Sequence, residues 1–126
     1  MKRILFLQLC LAAYLTQASA QSQPVLLNAD AFATYIASDS VQVVDIRTAA
    51  EFASGHIDGA VNIDFYAPDF VEQFTDRVDK SHPVAVYCRS GKRSASAALR
   101  LTQAGYRVTD LRGGVLEWQQ RHPLTH

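Results

Sequence analysis

Cysteine is scarce in this sequence, which contains two in 126 residues, Cys10 and Cys88. Cys10 lies in an N-terminal segment that we expect to be removed, so Cys88 is left without a partner for an intramolecular disulfide. There is also no excess of charge, because 12 Lys and Arg balance 12 Asp and Glu. That balance gives no reason to expect a nucleic acid or an acidic membrane as a partner. With scattered histidines and one remaining thiol, the sequence predicts no metal site.

Long apolar runs are confined to the N-terminus. Lys2 and Arg3 precede an apolar stretch from Ile4 to Leu15, and Ala18-Ser19-Ala20 supplies the small residues that a signal peptidase recognises. The stretch is shorter than the roughly 20 residues that a membrane-spanning helix needs. We therefore expect residues 1–20 to be a cleavable secretory signal peptide. We also expect the protein to be exported to the periplasm. Removal of the signal changes Lys+Arg from 12 to 10 and gives a net charge of −2.

The remaining residues, 21–126, are enough for one compact domain and too few for two. Within them Cys88 is a solitary thiol. In an exported protein such a thiol is either reactive and available for intermolecular pairing, or buried and used as a small apolar side chain. The cysteine count does not choose between these two alternatives.

Short β-branched and apolar runs alternate with helical patterns along most of the chain. The predicted strands cover 41–46, 60–63, 84–87 and 108–111, and the clearest helices cover 48–53, 94–104 and 115–120. This alternation is typical of an α/β domain with three layers, in which helices flank both faces of a mainly parallel central sheet. Ligands of such sheets bind in the loops that follow the carboxyl ends of the strands. Cys88 lies in such a loop, between a strand and a helix.

The loop CRSGKR, residues 88–93, has a composition suited to binding an anion. Gly91 permits a tight turn, and the backbone N–H groups of such a turn, together with the N-terminus of the next helix, would point inward. Arg89, Lys92 and Arg93 add positive charge. Amide dipoles and nearby cations favour a thiolate, so this setting predicts a nucleophilic sulfur beside an oxyanion site. Sulfur transfer and phosphoryl or arsenyl transfer both fit, and so does an ordinary solvated loop.

Several segments, taken in order, resemble the rhodanese family of single-domain thiosulfate sulfurtransferases. They are VDIR at 44–47, EFASGHIDGAVNI at 51–63, the loop 88–93 with Ser94, and LRGGVLEW at 111–118. The resemblance covers about 25–121. It implies a rhodanese-like fold, no cofactor, and sulfane sulfur transfer from a donor such as thiosulfate to cyanide or a thiol. Rhodanese loops have six residues from Cys to the closing Arg, whereas the related dual-specificity cell-cycle phosphatases have seven. Arg93 is the sixth.

The resemblance also assigns residues to roles. Cys88 corresponds to the nucleophile that carries the persulfide, and the loop that binds the anionic donor corresponds to Arg89, Ser90, Gly91, Lys92 and Arg93. Asp45, Arg47 and Glu51 are expected to form a supporting polar network, in which Asp45 could orient either Arg93 or Arg47. His56 is expected to be a scaffold residue and Trp118 a core residue.

Alternatives to an enzyme of this type remain open. The domain could carry a persulfide without catalysing its transfer, or dock a partner protein, because fold does not fix function. A protein is also a possible sulfur acceptor. A phosphatase is disfavoured by the loop length, and an arsenate reductase by the lack of a second cysteine.

Overall fold

The computed structural model describes residues 23–126. The predicted signal peptide and Cys10 lie outside these described residues. The chain forms five strands and five helices within the described part. The strands are β1 Val25–Leu27, β2 Gln42–Asp45, β3 Val61–Asn62, β4 Val84–Tyr87 and β5 Val108–Leu111. The helices are α1 Ala29–Ile36, α2 Ala49–Ala53, α3 Phe70–Arg77, α4 Lys92–Gln103 and α5 Gly114–Trp118.

The five strands form one sheet in the order β1-β5-β4-β2-β3, and all four neighbouring pairs are parallel. The prediction of a mainly parallel sheet is therefore confirmed. Val86 of β4 is opposite Val44 of β2 and Asp110 of β5, so β4 lies at the centre of the sheet. All four residues of β4 are buried, as its continuous apolar run predicted.

The sheet has one strand more than the sequence indicated. Val25–Leu27 pairs with β5 and forms one edge of the sheet. Three residues are too short to show a strand periodicity, and Val25 and Leu26 are each 52% exposed, so neither face is marked by an apolar pattern. The pairing with β5 is what makes this segment a strand.

Helices cover both faces of the sheet and form two cores. On one face α3 and α4 pack Phe70, Phe74 and Leu101 against Val84 and Val86. On the other face, α1 and α5 pack against the alternate residues of the same strands. The side chains of this core include Phe32, Val115 and Trp118 from the helices and Val43, Ala85 and Tyr87 from the strands. The three-layer prediction is confirmed. No helix within residues 23–126 is long and apolar enough to cross a membrane.

The parallel arrangement brings three polar positions to one edge of the sheet. Asp45 ends β2, Cys88 follows β4 directly, and Asp110 is the third residue of β5. The carboxyl ends of parallel strands lie at the same edge of the sheet. These residues therefore lie near one another although they are far apart in sequence. This edge holds the candidate site.

Candidate active site

The sulfur of Cys88 caps the N-terminus of α4. Its Sγ accepts the backbone N–H of Gly91 at 3.1 Å and that of Ser94 at 3.3 Å. The N-cap residue is Gly91, which has no side chain to satisfy these donors, and its φ of 100° lies in the left-handed region. The sulfur therefore takes the position that the oxygen of a Ser or Asp side chain occupies at an ordinary N-cap. The loop places Cys88 among inward-pointing N–H groups, as the sequence predicted.

Cys88 is also fully buried, with 0% of its surface exposed. Its thiol lies 3.5 Å from the hydroxyl oxygen of Ser94, to which it donates, and the Ser94 hydroxyl in turn donates to the carbonyl of Gly91 at 3.3 Å. Ser94 is itself fully buried. The sulfur is thus surrounded by hydrogen-bonding groups of its own loop and shielded from water.

Gly113, the N-cap of α5, and Gly114, its first residue, lie where α5 supports the Cys88 loop. The N–H of Val115 donates to the carbonyl of Cys88 at 3.0 Å, and that of Leu116 donates to the carbonyl of Arg89 at 3.1 Å. A Cβ at Gly114 would collide with both of these carbonyl groups. Glycine at this position is therefore required by the close approach of two backbone segments.

Arg93, the last residue of the loop, is held by Glu51 of α2. Its Nη1 and Nη2 donate to Glu51 Oε1 and Oε2 at 2.8 and 2.9 Å, a two-bond fork. The hydrogen bonds from Arg93 lower the pKa of Glu51 to about 2, and burial offsets only part of this effect. The same carboxylate accepts the N–H of Thr48 at 3.2 Å and completes the capping box of α2. Glu51 thus joins the start of α2 to the end of the Cys88 loop.

Asp45 and Arg47 form a second, separate ion pair. Arg47 Nη2 lies 2.7 Å from Asp45 Oδ2, and it also donates to the carbonyl of Gly55 at 2.7 Å. Burial lowers the pKa of Arg47, but the hydrogen bond and charge of Asp45 outweigh it and leave the pKa above its ordinary value. Of the two roles left open for Asp45, the structure shows the one that orients Arg47, while Arg93 is held by Glu51.

The charges available to a ligand are fewer than the sequence indicated. Arg93 is engaged by Glu51, and its guanidinium also lies 5.3 Å from the centre of the exposed Tyr66 ring. Arg89 and Lys92 are exposed, and within residues 23–126 neither forms an ion pair. These two side chains carry the free positive charge beside the loop. Ser90 between them is exposed as well.

Comparison with protein families matches residues 28–121 to the Rhodanese-like domain. This chain belongs to the rhodanese family. A sulfurtransferase from Allochromatium vinosum is 41% identical over 88 residues, 69% of this chain and 78% of that protein. The thiosulfate sulfurtransferase GlpE from Tolumonas auensis is 36% identical over 87 residues, 68% of this chain and 79% of that protein. The chain is a rhodanese-like transferase.

Solved structures agree with this rhodanese assignment. The crystal structure of a rhodanese-related protein from Thermoplasma volcanium matches with a TM-score of 0.71 at 27% identity. The match covers 80% of this chain and 97% of that one. The fold predicted from the resemblance is confirmed.

Residues outside the loop have the scaffold positions that the rhodanese pattern implied. His56 stacks on Phe52 at a ring separation of 3.7 Å, and its Nδ1 lies 3.0 Å from the Phe52 carbonyl. Trp118 is 5% exposed and packs edge-on against Phe32. No cluster of three metal-binding side chains occurs in the part of the chain from residue 23 onward.

Sequence reasoning missed two side chains near the sulfur. The rhodanese motif includes Ser94 without assigning a role to its hydroxyl, although a serine three residues after the N-cap glycine is well placed to face the loop. No motif in the sequence marks Asp110. A carboxylate near the end of an otherwise buried strand, beside the strand that leads to Cys88, was the signal that could have identified it.

Proposed function

We propose that this rhodanese moves sulfane sulfur from a small anionic donor such as thiosulfate to a thiophilic acceptor such as cyanide or a thiol, through a persulfide on Cys88. The observation that carries the proposal is the position of the Cys88 sulfur as the acceptor of the Gly91 and Ser94 N–H groups. Convergent N–H donors of this kind favour the thiolate over the thiol.

In the first half-reaction the Cys88 thiolate attacks the outer sulfur of thiosulfate. A sulfur–sulfur bond forms to Cys88, the bond inside thiosulfate breaks, and sulfite leaves with the electron pair. The N–H groups of the loop would hold the persulfide anion as they hold the sulfur in the resting protein. Arg89 and Lys92 are the exposed cations that would attract the donor.

In the second half-reaction the acceptor attacks the outer sulfur of the persulfide. With cyanide, a carbon–sulfur bond forms, the sulfur–sulfur bond breaks, and the Cys88 thiolate is restored as thiocyanate leaves. Neither half-reaction requires proton transfer once Cys88 is ionised. This agrees with the scaffold position of His56, whose Nδ1 lies 3.0 Å from the Phe52 carbonyl.

The test is incubation of the purified protein with thiosulfate and cyanide, with thiocyanate as the readout. We expect turnover in the natural protein and in the exposed control variant Ser38→Ala, and none in Cys88→Ser. Equal activity in Cys88→Ser would exclude the mechanism. Hydrolysis of an aryl phosphate without sulfur transfer would instead assign the loop to phosphoryl chemistry.

A non-enzymatic carrier is distinguished from an enzyme by mass spectrometry. Loading of Cys88 with one sulfur atom, an added mass of about 32 Da, combined with no measurable turnover towards either cyanide or small thiols would favour a carrier that hands sulfur to a protein thiol. Rapid loss of the added mass when cyanide is supplied would favour the enzyme.

Export is a separate proposal, supported by the pattern of residues 1–20. Mass spectrometry of the protein isolated from its natural host should find a chain that begins at Gln21. A mature chain that retains Lys2 and Arg3 would contradict both the signal peptide and the periplasmic location.

A further inference from the structure

A cavity of about 300 Å³ lies between α2 and α5, beside the Cys88 loop. Arg89, the residue that follows Cys88, forms part of its wall, and so do Gly55 after α2 and Gln119 after α5. Its volume is at the small end of the range for sites that bind small molecules. The sulfur-transfer steps described above make no use of this cavity.

Arg47 is a nearly buried cation in the cavity wall, with 5% of its side chain exposed. Its Nε and Nη2 donate to Asp45 and Gly55, whereas Nη1 has no acceptor among residues 23–126. In the same part of the chain, Asp110 Oδ1 is the only wholly buried side-chain nitrogen or oxygen without a hydrogen-bond partner. Arg47 Nη1 is therefore not wholly buried, and the cavity is the space that its N–H groups reach. Such donors match the oxygens of a carboxylate.

The guanidinium of Arg47 is held in place on its other sides. Asp45 accepts from both Nε and Nη2, and the Gly55 carbonyl accepts from Nη2 at 2.7 Å. The Arg47 Cζ also lies 5.8 Å from the centre of the buried Tyr87 ring. A donor that is already fixed loses little conformational freedom when it binds a ligand.

The charges at the cavity leave room for one negative charge. Arg47, Arg89 and Glu51 line it; Asp45 pairs with Arg47, and Arg93 pairs with Glu51. Three cations against two carboxylates leave a net charge of +1, which belongs to the unpaired Arg89. Both oxygens of Glu51 accept from Arg93, so its charge is already matched. The site therefore suits a monoanion.

The rest of the wall is partly apolar. It includes Val115 and Leu116 of α5 and Leu124 near the C-terminus. The position of Leu124 is fixed because the next residue, Thr125, exchanges two backbone hydrogen bonds of 2.8 Å with His56. Apolar walls favour an organic ligand over an inorganic ion such as thiosulfate. A carboxylate on a short aliphatic chain fits both the charge and the walls.

We propose that this cavity binds the carboxylate of the sulfur acceptor, and that the acceptor is a short-chain thiol with a single carboxylate. Arg47 Nη1 donates to the carboxylate, Arg89 supplies the balancing charge, and the aliphatic chain lies against Leu116. The thiol end is then held beside the loop, because Arg89 directly follows Cys88. This inference rests on the proposed function and names the chemical class of its acceptor.

The transfer itself is the second half-reaction with a thiolate as nucleophile. The acceptor thiolate attacks the outer sulfur of the Cys88 persulfide and forms a new sulfur–sulfur bond. The bond between the two sulfurs of the Cys88 persulfide breaks, and its electron pair stays on Cys88. The acceptor leaves as a persulfide, and the total charge is unchanged. The cavity contributes by holding the acceptor near the reacting sulfur, which lowers the entropic part of the barrier.

The test compares two thiols of similar size as acceptors, β-mercaptopropionate and the uncharged β-mercaptoethanol. Thiosulfate is the donor, and the release of sulfite is measured. The kcat/KM for the thiol reports on the second half-reaction alone, because the persulfide separates the two halves. Gln119→Glu adds a negative charge to the cavity wall. It should lower kcat/KM for β-mercaptopropionate by about fivefold and leave that for β-mercaptoethanol unchanged.

Gln120→Glu is the matched control. It adds the same charge at the next position, which is also exposed and does not line the cavity. Both thiols should react with this variant as they do with the natural protein. The inference would be overturned if Gln119→Glu affected the two thiols equally or not at all, or if Gln120→Glu had the same selective effect.

Binding of propionate, which has no thiol, separates the cavity from the sulfur chemistry. In amide NMR spectra of the natural protein, propionate should shift the signals of Gly55, Arg89 and Gln119 until they saturate, and Gln119→Glu should weaken this binding by about fivefold. Turnover with cyanide but no propionate shifts would overturn the inference and leave the proposed function standing. Saturable shifts without turnover towards any acceptor would support the carboxylate site and contradict the proposed function.

Discussion

Arg93 and Glu51 are joined by two parallel hydrogen bonds of 2.8 and 2.9 Å, across 42 positions of sequence. The pair fastens the end of the Cys88 loop to the first turn of α2. Arg93, which closes the loop, therefore helps to hold the shape of the loop. The exposed Arg89 and Lys92 supply the free positive charge beside it. The arrangement separates the residues that shape the site from those that attract a ligand.

Glu51→Gln should therefore loosen the loop without removing any group that touches the sulfur. We expect turnover with thiosulfate and cyanide to fall by about tenfold, and the free energy of unfolding in urea to fall by about 1–2 kcal/mol. Glu72→Gln, an exposed change on α3, is the matched control and should alter neither. Full activity in Glu51→Gln would mean that the loop keeps its shape without the fork.

Glu51 and Asp110 give opposite dependences of stability on pH. The pKa of Glu51, at about 2, is below its ordinary value, so its stabilising effect is present above about pH 4.5 and is lost as the pH falls towards 2. The pKa of Asp110, at about 6, is above its ordinary value, so the folded state is favoured while the group is protonated. The free energy of unfolding should fall as the pH rises from about 4 through 6, by up to about 3 kcal/mol.

Asp110→Asn isolates this second effect. The variant should show no such fall between pH 4 and 6.5 in urea unfolding curves, and it should be more stable than the natural protein at pH 7. Asp58→Asn serves as control and should follow the natural protein. If the stability of Asp110→Asn and of the natural protein fell in parallel over that range, the pKa of Asp110 would not be raised.

Gly114→Ala should disable the site through the backbone. The added Cβ meets the carbonyl groups of Cys88 and Arg89, so the loop must move and the N–H groups must turn away from the sulfur. We expect activity to fall by about a hundredfold or more and stability to fall by about 2–4 kcal/mol.

Gly59→Ala is the matched control for this change. Gly59 also has a positive φ, 82°, but nothing lies within 4 Å of a Cβ at that position. The variant should lose about 1–2 kcal/mol of stability from backbone strain and retain its activity. Equal activity losses in the two variants would show that strain, and not the collision with the loop, is responsible.

Arg89→Gln and Lys92→Gln should weaken binding of an anionic donor. Each should raise KM for thiosulfate several-fold, roughly the effect of 1 kcal/mol, and reduce the dependence of KM on salt, with little change in kcat. Arg107→Gln, which removes an exposed charge at the opposite end of β5, should leave KM unchanged. If kcat fell by a larger factor than KM rose, these side chains would instead act mainly by stabilising the transition state.

Much of the fold could be predicted from the sequence because its signals are local. The apolar run at Val84–Tyr87, the β-branched residues of β2 and the alanine-rich α4 specify their own structures. The edge strand Val25–Leu27 could not be predicted in this way, because its three residues become a strand only through their pairing with β5.

That a thiol follows a buried strand and precedes a helix, beside glycine and basic residues, can be predicted from the sequence alone. These features depend on neighbours along the chain. The fold, in contrast, is what pairs Arg93 with Glu51 and Asp45 with Arg47 and what buries Asp110. Arg93 and Glu51 come from different helices, 42 positions apart, and no local pattern records which charge will be neutralised or which carboxylate will be buried when the parallel strands are brought side by side.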